Sequence, residues 1–287
     1  MNESAAAKEF ASETIGRVAD YWNSRPCNIR HSPLPVGTRE YFDQVEARKY
    51  FVEPHIPAFA EFDRWKGKRV LEIGCGIGTD TINFARAGAQ VTAVDLTEKS
   101  IEVARQRAAV FGLEDRIRFV RANAERLREF LPAEPFDLIY SFGVIHHTPD
   151  PDRVLEELRH YMQPETSVRI MVYNRWSWKV LWILATYGKF QFWKLDRLIA
   201  DHSEAQTGCP VTYSYSRTSG RQWLERHGIA VDRAYAEHIF PYSIAEYVRY
   251  EYTKVWYFRW IPRFLFRALE RALGWHLCLI GRPAGRS

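Results

Sequence analysis

Hydrophobic and polar positions change period along the chain, and each change marks a different kind of element. Phe10, Ile15, Val18 and Tyr21–Trp22 recur at helical spacing and predict an amphipathic first helix. Asn23–Cys27, with Pro33 and Pro35 after it, reads as loop. A second helical stretch follows over about Arg39–Phe51, where charges alternate with Tyr41, Phe42, Tyr50 and Phe51. From Lys68 the pattern becomes that of buried strands separated by short helices. Strands are expected at Arg69–Ile73, Val91–Val94, Ile117–Val120, Phe136–Ser141, Val168–Tyr173, from Ile229, and at Trp275–Ile280. The intervening helices carry start and stop signals: Thr97 before an apolar face of Ile101, Ala104, Ala108 and Phe111 with Gly112 after it, and Asp150–Pro151 before Val154, Leu155, Leu158 and Met162. This alternation predicts an α/β fold, a doubly wound, mostly parallel seven-stranded sheet.

Two stretches break the rhythm. Residues 174–216 hold Trp176, Trp178, Trp182, Phe190, Phe192 and Trp193 and read as a helical insertion, with loop at Ser203–Pro210. A second excursion covers about 241–274, where Phe264, Leu265, Ala268, Leu269, Ala272 and Leu273 form one helical stripe and Arg263, Arg267, Glu270 and Arg271 the opposite one. The expected organisation is therefore an N-terminal helical cap (1–62), a core (63–173), the aromatic insertion (174–216), and the end of the sheet carrying the second insertion (217–287).

Composition narrows this picture only slightly. With 46% hydrophobic and 15% aromatic residues in 287, a full core is available. A formal charge of +5 without a compact basic tract argues against nucleic acid as the partner. Cys27, Cys75, Cys209 and Cys278 make no zinc spacing and are expected as reduced thiols; His202, Glu204 and Cys209 are too irregular to suggest a metal. No leader pattern precedes the first helix, and the uncharged stretch between Lys179 and Lys189 is too short to span a bilayer, so a cytoplasmic protein is expected.

The chemistry centres on Val70-Leu71-Glu72-Ile73-Gly74-Cys75-Gly76-Ile77-Gly78-Thr79-Asp80. A strand ending in a glycine turn that feeds a helix makes a ligand crevice at the carboxyl edge of a sheet. The spacing is G-x-G-x-G, whereas a nicotinamide or flavin fold calls for G-x-G-x-x-G. Asp95, ending the second strand, suits the vicinal hydroxyls of a ribose in either case.

The ordered series Val70–Gly78, Asp95, Asn123-Ala124-Glu125 and Phe136–Ser141, followed by Phe142-Gly143-Val144-Ile145-His146-His147-Thr148-Pro149, resembles that of class I S-adenosylmethionine-dependent methyltransferases. The small-molecule branch around the ubiquinone/menaquinone C-methyltransferases (types 11 and 12) is the nearest in pattern, and the likeness covers about Lys68–Tyr173. It implies S-adenosylmethionine as cofactor and methyl transfer to a small molecule. It also implies cofactor contacts by Gly74, Gly76, Gly78, Asp95 with Leu96, Asn123 with Ala124, and Ser141, with Glu72 supporting the turn. Asn123 departs from the family's usual Asp. His146 and His147 are the candidate general bases, and Tyr50 is a further catalytic candidate from the leader. The aromatic, arginine-rich insertions are expected to set specificity, either as a closed pocket for an apolar, aromatic or acidic molecule or as a peripheral membrane face for a lipid or quinone methyltransferase. A cofactor-binding, non-catalytic partner subunit is the alternative of another class. The accepting atom, the need for a base and the oligomeric state stay open.

Overall fold

The computed structural model describes residue 10 and residues 13–203 and 208–285. Strand β1 (Arg69–Ile73) lies at the centre of the sheet because it is buried on both faces. It pairs in parallel with β2 (Gln90–Asp95) and β4 (Leu138–Phe142). β3 (Ile117–Arg121) extends one side and β5 (Ser167–Asn174) the other, again in parallel. β8 (His276–Pro283) then runs antiparallel between β5 and β7 (Ile229–Glu237), giving the order β3-β2-β1-β4-β5-β8-β7.

Among the described residues the sheet has eight strands rather than seven. The addition is β6 (Ser214–Tyr215), a two-residue strand that pairs with Tyr173 and Asn174 at the end of β5. So short a strand carries no periodicity; it exists because the first insertion returns along the sheet edge, where Tyr213 N–H donates to His146 O (2.8 Å). β4 also begins two residues later than its apolar run: Phe136 N–H donates to Tyr161 O, and the Asp137 carboxylate accepts Arg69 N–H (2.8 Å).

Period-two alternation sorts the side chains into two helical layers. Val70, Val91, Leu138 and Tyr140 pack with Phe84, Ala85, Ala104 and Ala108. Leu71, Ile73 and Ile139 pack with Val154, Leu155, Leu158, Trp223 and Leu224. Among the described residues the helices are, in chain order, α1 (Ile15–Ser24), α2 (Arg39–Val52), α3 (Ile56–Ala60), α4 (Thr79–Arg86), α5 (Glu98–Phe111), α6 (Pro151–Leu158), α7 (Trp178–Thr186), α8 (Leu195–His202), α9 (Arg217–Arg226), α10 (Ile244–Tyr247), α11 (Trp256–Arg259) and α12 (Arg263–Leu273). Thr14, Thr38, Asp150, Ser177 and Ser216 each accept a backbone N–H at a helix start.

The leader is bolted onto the core by buried charge. Arg107 of α5, fully buried, donates to Thr79 Oγ1 (2.6 Å), Phe42 O (3.1 Å) and Glu46 Oε2 (3.1 Å). Arg169 of β5 pairs with Glu61 and donates to Phe59 O. Arg48 of α2 lies over the rings of Tyr247 (4.0 Å) and Tyr250 (4.3 Å), which joins the leader to the second excursion. Part of the Ser203–Pro210 tract lies outside the described residues. No helix among the described residues is long and apolar enough to cross a membrane.

The orientation of α12 is unusual. The start of its apolar stripe faces solvent, with Phe264 77% and Leu265 51% exposed and Leu269 and Leu273 half-buried, whereas Glu270, alone of the polar stripe, is buried, accepting from Arg267 (2.9 Å) and from Ile239 N–H. Trp256 and Trp260 beside it are 79% and 81% exposed.

His31, between the leader and the second excursion, provides a pH test. Burial, then Arg48 and Lys49, push its pKa down to about 3, and its Nε2 lies 3.2 Å from Tyr247 Oη. An unfolded histidine titrates near 6.5. The native state therefore excludes this proton, and the stabilising contribution is complete above pH 6.5 and lost as pH falls toward 3. Relative to His31→Gln, the wild type should lose roughly 1 kcal/mol of unfolding free energy per pH unit between pH 6.5 and 4.5. Urea melts of both proteins across this window check it; parallel pH profiles would contradict it.

Candidate active site

The glycine turn between β1 and α4 opens onto a cavity of about 770 Å³ at the carboxyl edge of the sheet. Gly74, Gly76 and Gly78 all have positive φ (78°, 53° and 77°), but each is needed for a different reason. A Cβ on Gly74 would lie 2.2 Å from Val144 Cγ2, so this glycine lets the loop after β4 approach. One on Gly78 would meet Ala104 at 3.1 Å, where α4 begins against α5. One on Gly76 would meet nothing within 4 Å; this is the turn's open face, toward the cavity.

Asp95 locks the turn. Its Oδ2 accepts Gly76 N–H (2.9 Å), and its Oδ1 accepts Thr97 N–H (2.9 Å) and Thr97 Oγ1 (2.8 Å). Burial raises its pKa despite these donors. Asp95, Leu96, Asn123 and Ala124 line the cavity with Gly74 and Gly76. Asn123 is also structural: its Oδ1 accepts Glu125 N–H (3.0 Å) and starts the turn after β3.

Several residues named from the sequence lie elsewhere. Glu72 is buried behind the turn, off the cavity wall, and accepts Thr81 Oγ1 (2.6 Å). Burial, then the Asp80 carboxylate, push its pKa up to about 8. Gly78 is likewise absent from the cavity wall. Ser141 is fully buried and off the wall, and its hydroxyl has no hydrogen-bond partner among the described residues.

Tyr50 points away from the cavity. Its hydroxyl donates to Asp80 Oδ1 (2.9 Å) and accepts from Asn83 Nδ2 (3.1 Å), and burial with the Asp80 charge raises its pKa far above the usual phenol range. A phenol so held cannot ionise to act as a base. His146 is fully buried, off the wall, and held neutral by burial and by His147. His147 alone of the pair reaches the cavity; its Nδ1 lies 2.8 Å from Val211 O, so Nδ1 carries the proton and Nε2 the lone pair. The insertion therefore orients this ring. Among the other tyrosines, Tyr242 lines the cavity and Tyr213 donates to Pro149 O (3.1 Å) behind the histidine loop.

The structure also brings together residues that the sequence did not single out. Asp80, in the first turn of α4, is buried and receives Lys49 Nζ (2.7 Å), Tyr50 Oη and Tyr140 Oη (2.9 Å). Burial works against the Lys49 charge, but Asp80 and Glu53 outweigh it and raise its pKa. On the far side of the cavity Glu53, His238 and His276 converge, with ligand atoms all within 4.8 Å of one another. A segment joining at the site from positions so distant leaves no spacing to read; Glu204 of the irregular cluster considered above lies outside the described residues.

A family model described as "Methyltransferase domain" matches residues 65–224. A ubiquinone biosynthesis O-methyltransferase of Haemophilus ducreyi is 34% identical over 112 residues, 38% of this chain and 47% of that protein. The corresponding protein of Pasteurella multocida is 28% identical over 180 residues, 56% of this chain and 74% of that one. At the higher identity the chain spans about half the length of the curated relatives it matches. Among solved structures, geranyl diphosphate C-methyltransferase of Streptomyces coelicolor superposes with a TM-score of 0.59 at 12% identity, covering 95% of this chain and all of that one. Magnesium protoporphyrin IX methyltransferase of Synechocystis, with bound SAH, gives 0.57 at 16% identity, covering 92% and 98%. These two likenesses are of fold.

The unequal roles of the glycines give a direct test. Gly74→Ala should cost several kcal/mol, because both the backbone and Val144 resist it, and thermal melts should show a markedly lower midpoint. Gly76→Ala should cost only about 1 kcal/mol, the strain of its positive φ. Equal losses in the two variants would contradict the assignment of the open face.

Proposed function

The chain belongs to the class I S-adenosylmethionine-dependent methyltransferases, and from that premise we propose that it moves the cofactor's sulfonium methyl to a small apolar or aromatic acceptor. The observation that carries this reading is the open face of the turn at Gly76, which shares one cavity wall with the Asp95 carboxylate. In this reading the backbone at Gly74 and Gly76 receives the methionine part of the cofactor, Asp95 the ribose hydroxyls, and Leu96, Asn123 and Ala124 the adenine. The positive end of α4 favours the cofactor's carboxylate. Glu72 and Gly78 act by holding the turn. Residues 63–173 are the cofactor-binding core, the leader 1–62 is its cap, and the stretches 174–216 and 241–274 build the acceptor side.

A sulfonium methyl is already activated, so the chief demand is alignment with the nucleophile at near-attack distance. The cavity continues past Gly76 to Phe142, Met171 and Tyr173 and on to Trp178, Tyr242 and Tyr257, which favours an apolar acceptor. The O-methyltransferases of ubiquinone biosynthesis among its relatives support an acceptor of that character. Where the acceptor carries a proton, His147, the one of the pair on the cavity wall, is the candidate base. His146, Tyr50 and Ser141 have no part in this chemistry.

A second reading, compatible with the first, rests on α12. A helix held through Glu270 with Phe264 and Leu265 outward, beside exposed Trp256 and Trp260 and among exposed Arg259, Arg263, Arg267 and Arg271, suits an anionic membrane surface. Leu273 and Tyr257 carry this apolar surface to the cavity.

Isothermal titration should show saturable binding of S-adenosylmethionine and S-adenosylhomocysteine, weakened at least tenfold in Asp95→Ala, which loses two charge-assisted hydrogen bonds. Undiminished binding in that variant would overturn the ribose assignment, and binding of NADH in place of either would overturn the function. On vesicles containing phosphatidylglycerol the protein should co-sediment, and a Trp256→Ser/Trp260→Ser/Phe264→Ser variant should stay in the supernatant. Equal behaviour of the two proteins would remove the membrane reading.

A further inference from the structure

We propose that Glu53, His238 and His276 form a binding site for one divalent transition-metal ion, of the zinc or iron(II) class, in the acceptor half of the cavity. The three residues come from three separate places: Glu53 ends α2, His238 follows β7, and His276 opens β8. One ligand atom from each lies within 4.8 Å of the other two, and Nε2 of His276 stands 3.6 Å from Oε1 of Glu53. Ligand atoms around a tetrahedral zinc ion with bonds of about 2 Å are separated by somewhat over 3 Å, so small side-chain rotations close the site. All three residues line the cavity, so the remaining coordination positions face it.

Two further observations point the same way. The other ring nitrogen of His276, Nδ1, lies 3.0 Å from Nε2 of His55. Metal-ligating histidines are held in this manner through their second nitrogen, which fixes the ring and its tautomer. In the tautomer with Nδ1 of His276 donating to His55, Nε2 carries the lone pair that a cation between it and the Glu53 carboxylate would take. His238 has φ +71°, a left-handed backbone rare for a residue with a side chain, and its carbonyl accepts Trp275 N–H (2.7 Å). That strain presents its ring to His276, with centroids 4.6 Å apart. Two imidazoles and one carboxylate form the donor set of borderline divalent ions, and they leave positions open for a ligand.

The site has a use that rests on the methyl transfer proposed above. An acceptor hydroxyl or phenol bound to the ion would lose its proton, to His147 or to water, more readily, because the ion stabilises the oxyanion. The oxygen lone pair then forms the new O–C bond while the methyl C–S bond breaks. The electron pair of that bond goes to sulfur, leaving a neutral thioether.

The test is Co²⁺ binding to the chelator-treated full-length protein, followed by visible absorption and by elemental analysis after desalting. One equivalent should bind and give the d–d bands of a four- or five-coordinate site. Glu53→Gln, which keeps the size of a half-buried side chain, should weaken binding at least tenfold, and so should His238→Asn. Titration of each variant with S-adenosylhomocysteine verifies the fold and reads the methyltransferase assignment separately. Absence of saturable Co²⁺ binding, or Co²⁺ binding unchanged in both variants, would overturn the metal site whatever the cofactor titration shows.

Discussion

The buried carboxylate of Asp80 is the constraint on which the rest of the site depends. A carboxylate 3% exposed cannot remain charged without partners, and three side chains from two elements supply them: Lys49 and Tyr50 from α2, and Tyr140 from β4. Removing one partner from such a buried pair strands the other, at a cost of several kcal/mol. The leader therefore cannot lift away from the glycine turn without exposing a deficit at the start of α4. The same contact places Lys49, Val52 and Glu53 on the cavity wall, so an electrostatic requirement of the core also builds the ligand site.

The two halves of the cavity are made by different means. The half proposed for the methyl donor is backbone: a turn of three glycines, locked by Asp95 to Gly76 and Thr97 and supported from behind by Glu72 and Thr81. Its geometry depends on hydrogen bonds within a short span of chain. The acceptor half is side chains from long excursions, Trp178 and Trp182 from the first and Tyr242, Tyr247 and Tyr257 from the second, which meet only through tertiary packing. A rigid cofactor half and a separately built acceptor half are what a fold needs if one chemistry is to serve many substrates.

This division also explains what could be read in advance. The strand–turn–helix at Val70–Thr79, the place of Asp95 at the end of the second strand and the β/α alternation are local patterns, and the structure carries them with small shifts in strand ends. β6 was not legible because two residues have no period. The direction of the α12 stripe was not legible because an amphipathic pattern states that two faces differ, not which one meets the core. Tyr50 and Ser141 sit near the site in sequence terms, yet one is committed to Asp80 and the other is fully buried within β4. The His55–His276 contact joins residues 221 positions apart, beyond the reach of any spacing rule.

The inverted helix α12 follows from the same competition between charge and apolar surface. Turning its stripe inward would bury Phe264 and Leu265, each worth roughly 2 kcal/mol, but would take Glu270 away from Ile239 N–H and from Arg267. The chain after β7 is held by that carboxylate, and Trp275 N–H is bonded to His238 O just beyond it. Rotation of α12 would thus disturb the residues that lead into His238 and His276. The helix is retained through Glu270 because that carboxylate anchors the chain leading to His238, and the exposure of Phe264 and Leu265 is the consequence. An apolar acceptor approaching from that side would meet hydrophobic surface from Phe264 through Leu273 to the cavity, whereas a strongly polar one would have to shed its hydration to follow the same route.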